Sequence, residues 1–160
     1  MRILPFLLVL LVLAGCAHVV SEQAREAVDT DVSLEKLFKN PEAYVGKTVM
    51  LGGAIINTTY AEEDTIIETL EHPLDRRGRP KVTDESLGRF LVRYEGFLDQ
   101  AIYAPGRLIT VVGTVTGGET LPLGRIEYLY PVIRSRELHL IERGYGPPRV
   151  HFGLGVFHAF

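Results

Sequence analysis

Glycine-kinked segments rich in β-branched residues recur along this 160-residue chain, and one short helical segment precedes them. Together they predict a mainly β fold. The segments are apolar on both faces over short stretches and are separated by Gly, Pro and Asp turns. That pattern suits a small antiparallel β-barrel of OB-like type with one short N-terminal helix. A β-sandwich is the alternative. The barrel is assigned to residues 32–142, one domain at this length.

The helix comes first. In VSLEKLFKNPEAYVGKTV, Ser33 stands where a cap belongs, and Leu34, Leu37 and Phe38 form the apolar face. Asn40-Pro41 ends the helix, because a residue before proline is driven out of the helical region. The first strand runs from Thr48 to Thr58, with Val49, Leu51 and Ile55 against Met50, Ala54 and Ile56. Gly52-Gly53 in its middle predicts a bulge or a sharp coil. AEED turns the chain, and TIIETLEHPLD returns as a second strand, with Ile67, Thr69 and Glu71 alternating against Ile66, Glu68 and Leu70. Pro73 ends that strand or marks an edge. RFLVRYEGFL is the third strand and RLITVVGTVTGG the fourth, with a bulge at Gly113 and a turn at Gly117-Gly118. RIEYLYPVIRSRELHLIE supplies the last strand, expected in two pieces broken at Pro131.

Charge narrows the partners. Seventeen Lys and Arg against 20 Asp and Glu give a net charge of −3, without the basic footprint of a nucleic-acid binder. No nucleic acid is expected as a partner. One cysteine excludes a disulfide framework within the chain. That cysteine ends an apolar run. MRILPFLLVLLVLA holds Arg2 and no other charged side chain, and is shorter than the ~20 residues a spanning helix needs. It has the layout of a secretory signal, assigned to residues 1–15. The alternative is an uncleaved anchor with a buried thiol.

The sequence LAGC, Leu13 to Cys16, resembles the bacterial lipobox. The resemblance implies that Cys16 receives a diacylglyceryl group by thioether, that the chain is cut before it, and that the new α-amine is acylated, typically by palmitate. No other cofactor is expected. Residues 16–31 then form a lipidated N-terminus and tether, within which Ser21 to Val28 has helical character with Ser21 as the cap. By the sorting rule of such lipoproteins, Ala17 in place of an aspartate implies the outer membrane.

YVGKTVMLGGAIIN, TIIETLEHPLDRRGRP, GRFLVRYEGFLDQAIYAPGRLITVVGTVTG and GRIEYLYPVI, together with LAGC, resemble the Slp family of outer-membrane lipoproteins, known for starvation-inducible members. The resemblance runs from about Leu34 to Leu140. It implies a lipid-anchored outer-membrane protein facing the periplasm, held by outer-membrane lipid through its acyl chains. Taken with the lipobox and the lack of a catalytic constellation, it leads to the expectation of a non-enzymatic structural or stress-adaptive envelope role.

The remaining constellations are weaker. The five histidines are scattered without metal-ligand spacing, so no metal site is expected. No serine lies in a nucleophile elbow and no carboxylate pair stands out, so no catalytic residue is assigned and a hydrolase is disfavoured. Arg76, Arg77, Arg79 and Lys81 form a basic loop that suits phosphate groups; the alternative pairs them with Asp75, Asp84 and Glu85. An OB-like binding module for a saccharide or other envelope component is the alternative function. Tyr44 and Tyr94, with Tyr60, Tyr103, Tyr128 and Tyr130, are its candidate contacts. Residues 143–160 form a Gly- and aromatic-rich tail, read as pairing along a sheet edge or docking on a partner.

Overall fold

The computed structural model describes residues 18–142. The signal segment 1–15, Cys16 and the tail 143–160 lie outside the described residues. Two short helices, α1 (Glu22–Glu26) and α2 (Leu34–Lys39), precede a 3-10 turn at Pro41–Tyr44. Five strands follow: β1 (Thr48–Ala61), β2 (Asp64–Glu71), β3 (Arg89–Glu95), β4 (Leu108–Leu123) and β5 (Ile126–Leu140). They close into a barrel in the order β1-β2-β3-β5-β4. The mainly β, OB-like barrel is thus the observed fold; α2 is the short helix expected before the strands, and α1 falls in the Ser21–Val28 stretch read as helical within the tether.

Closure is not wholly antiparallel. β3 and β5 pair in parallel at Leu91↔Val132, Val92↔Ile133 and Arg93↔Arg134. The inward side chains make one core. Val49, Leu51 and Ile55 of β1 meet Ile67 of β2, Phe90 and Val92 of β3, Ile109, Val111 and Val115 of β4, and Ile133 of β5. Closing the sheet removes exposed edges and lets branched side chains fill the interior.

α2 stops one end of the barrel. Leu37 is fully buried in the core cluster, and Phe38 meets Phe90 edge-on with ring centroids 6.2 Å apart. The Ser33 side chain makes no capping hydrogen bond, so packing rather than the cap holds this six-residue helix. On α1 the Ser21 hydroxyl does cap, accepting from the Ala24 N–H.

Three expectations are corrected by the ladder. The irregularity in β1 lies between Ile55 and Asn57, not at Gly52-Gly53. Gly53 is required instead by close approach: a Cβ there would lie 1.9 Å from the Leu70 carbonyl oxygen. Gly113 does adjoin a register shift, but Gly117-Gly118 make no turn. A second shift falls between Val115 and Gly117, and β4 continues to Leu123 before reversing. Pro131 does not break β5. It pairs with Gly118 and stands one residue before the parallel pairing with β3 begins.

Residues 18–31, read as a tether, are bound to the barrel. Val20 is buried, the Val19 N–H donates to the Arg77 carbonyl at 2.9 Å, and Ser21 donates from N–H and hydroxyl to the Glu137 carboxylate. Asp29 accepts from the Thr48 N–H at 2.8 Å and pairs with Lys47.

Candidate functional site

Three surfaces carry side chains able to meet a ligand. The first is the loop after β2. Its turn is built by Asp75, whose Oδ1 accepts from the backbone N–H groups of Arg77 and Arg79 at 2.8 and 2.9 Å. Those bonds, the one from Arg79 foremost, hold its carboxyl below the usual range. The buried Thr110 hydroxyl donates to the Gly78 carbonyl at 2.7 Å and pins the loop to β4. With Asp75 occupied by backbone, Arg76, Arg77 and Arg79 stay exposed and form no ion pair among the described residues. The alternative in which they pair with Asp75, Asp84 and Glu85 is not what is found.

The second surface is a groove of about 310 Å³ on the outer face of β1, β2 and β3, walled by the β4–β5 hairpin. Ile66, Leu91, Leu121 and Val132 give it an apolar floor. The cations in it and beside it are already paired. Arg89 meets Glu68 at 2.7 Å, Arg93 meets Asp64 at 3.4 Å, and the Tyr130 hydroxyl also donates to Glu68.

The six tyrosines do not share this face. Tyr44 and Tyr103 pack on the inner core. Tyr60 stacks on Phe97, and Tyr128 meets Tyr130 at 4.8 Å beside the outer cluster. Tyr94 pairs with Thr65 near the far end of β2, about 20 Å along the strand from the arginine loop. Arg76, Arg77 and Arg79 are therefore brought together, while Tyr44 and Tyr94 are not brought to them.

The third surface was missed by sequence reasoning. A cavity of about 950 Å³ opens between the start of α2, the first part of β1 at Met50 to Gly52, the end of β2 and the loop 84–87. Glu71 and His72 line it, and at 4% and 6% exposure they are the only buried acidic or histidine side chains among the described residues. Thr65, Ile67, Thr69 and Glu71 are the inward-facing set of β2, so Glu71 occupies a core position at the barrel end. A carboxylate in phase with an inward set was the available signal. Glu71 Oε2 accepts from the Leu87 N–H at 2.7 Å, and the buried His72 Nδ1 has no partner.

Burial pushes the Glu71 carboxyl above its ordinary range, against the Leu87 N–H, which pulls it down. A carboxyl raised on folding contributes stability below its unfolded pKa and loses it as pH rises through the folded value. Glu71→Gln is therefore expected to raise Tm at pH 8 and to change it little near pH ~4, where the acid is largely neutral in both states. Melting curves at the two pH values check this; an equal shift at both would refute it.

These features define a small closed β-barrel of OB-like type. The sequence profile of the Outer membrane lipoprotein Slp family matches residues 13–151, and the chain belongs to that family. It is 29% identical over 142 residues to "Uncharacterized lipoprotein YeaY" of Escherichia coli (strain K12), covering 87% of this chain and 73% of that one. It is 29% identical over 117 residues to "Outer membrane protein Slp" of the same organism, covering 72% and 62%. An "Uncharacterized protein" of Haemophilus influenzae is 39% identical over 90 residues, covering 56% and 49%. The chain thus spans less than two thirds of the length of the latter two. Among solved structures, it is similar to the S. cerevisiae mitochondrial single-stranded DNA binding protein Rim1, with TM-score 0.37, 10% identity and coverage of 63% and 98%. It is also similar to Schizosaccharomyces pombe Pot1pC, with TM-score 0.34, 7% identity and coverage of 74% and 87%. Nothing about a ligand follows from scores this low.

Proposed function

We propose that this chain is an outer-membrane lipoprotein, anchored through acylated Cys16 on the periplasmic side. The arginine loop lies against lipid phosphates, and the barrel serves a non-enzymatic structural or stress-adaptive role. Family membership and the printed names of the relatives support the envelope location. One contact carries the orientation. The Val19 N–H bonds the Arg77 carbonyl, and Cys16 lies three residues earlier, within about 11 Å of extended chain. Lipid end and unpaired arginines therefore share one end of the molecule. A cation at an anionic surface is worth ~1 kcal/mol, too little to bind alone but enough to orient an anchored domain.

The chain has no tryptophan, so introduced ones report cleanly. Val82 beside the loop and Phe97 at the opposite end of β3 are 72% and 73% exposed. In lipidated protein reconstituted with phosphatidylglycerol-containing vesicles, Val82→Trp is expected to be quenched by brominated lipid and Phe97→Trp to be spared. Replacing Arg76, Arg77 and Arg79 by Gln should reduce the Val82→Trp quenching. Equal quenching at both ends would refute the orientation while leaving the anchor intact.

A further inference from the structure

We infer that the cavity at the α2 end of the barrel is a binding site for a small primary-amine ligand with an aliphatic body. The inference starts from where hydrogen-bonding capacity is left unused. The backbones of both key residues are fixed, since Glu71 N–H donates to the Gly88 carbonyl and His72 N–H to the Gly52 carbonyl, each at 2.9 Å. Yet the Glu71 carboxylate uses only Oε2, on the Leu87 N–H. Its Oε1 accepts no hydrogen bond from any described residue. His72 Nδ1, on a side chain that is 6% exposed, is likewise without a partner.

A buried imidazole nitrogen without a partner costs stability, and the Glu71 carboxylate, on a side chain that is 4% exposed, keeps one oxygen without a donor. With the imidazole proton on Nε2, both free atoms accept. The complement is a group with several donors and a positive charge, which an ammonium supplies. A cation beside Glu71 also offsets the burial that raises its carboxyl.

The walls agree in sign. Glu35, Asp84 and Glu85 stand at the rim, and no lysine or arginine lines the cavity. Anionic ligands are thereby repelled. Leu34, Met50 and Leu74 supply apolar surface for an alkyl chain. A metal ion fits less well, because no group of three or more His, Cys, Asp or Glu among the described residues has metal-binding geometry. The cavity is independent of the lipid anchor and of the arginine loop, and the inference stands or falls separately from them.

The test is calorimetric titration of the full protein in neutral detergent with 1,5-diaminopentane, beside 1,5-pentanediol and inorganic phosphate. Saturable binding of the diamine alone is expected. Glu71→Gln, which keeps the shape and the Leu87 bond, should weaken it roughly tenfold or more, the loss expected for one charged hydrogen bond. Glu85→Gln at the rim should weaken it by less. Absence of saturable diamine binding, equal binding of the diol, or unchanged affinity in folded Glu71→Gln would each overturn the assignment.

Discussion

Gly53→Ala is expected to unfold the barrel or cost about 3 kcal/mol or more, beyond the usual range for one added methyl group. The reason is where the methyl would go. Gly53 is paired on both sides, with Glu71 of β2 and Ile109 of β4. An added Cβ would lie 1.9 Å from the Leu70 carbonyl oxygen, 2.8 Å from its carbon and 2.9 Å from Thr69 Cγ2. Two of those atoms are backbone within the β1–β2 ladder, so relief requires parting the strands. Against a domain stability of order 5–15 kcal/mol, such a loss is severe. Gly106→Ala provides the contrast. Gly106 has φ +81° but nothing within 4 Å of the added atom, so only the ~1 kcal/mol of left-handed backbone strain applies. Urea denaturation of both variants checks the pair. Similar midpoints would mean that β1 and β2 can separate cheaply at this point.

Cys16→Ala is expected to abolish outer-membrane attachment. In the proposed anchor, acylation needs the thiol as nucleophile and the cut before residue 16 follows it. The variant should retain residues 1–15 and vanish from the outer-membrane fraction on density-gradient separation of the envelope. Several acyl chains at ~0.8 kcal/mol per buried CH₂ account for an all-or-none effect, since no side-chain contact of the barrel approaches that total. A Cys16→Ala chain that still fractionates with the outer membrane would show that something other than the lipid holds it there.

The strands were legible because their signal is local. Ile67, Thr69 and Glu71 alternate against Ile66, Glu68 and Leu70, and β2 buries the first set as that alternation requires. What was not legible depends on partners distant in sequence. Gly117-Gly118 has the composition of a turn, yet the run continues because β5 pairs with it through Tyr130, Pro131 and Val132. The parallel β3–β5 closure leaves no mark on either strand alone. The basic loop was legible as charge, but not its junction with Val19, some sixty residues earlier in the chain. Glu71 and His72 read as a strand end. Their burial arises only when α2 and the segment around Leu87 converge on them. The tyrosines show the opposite failure: shared composition suggested a shared face, and the fold sends them to separate clusters.

The most direct test of the central claim is the intact mass of the protein extracted from the envelope in detergent. A chain beginning at Cys16, heavier by a diacylglyceryl group and one fatty acid, is the expected result. An unmodified chain beginning at Met1 would contradict it, and the lipid anchor and the membrane-facing arginine loop would fall together.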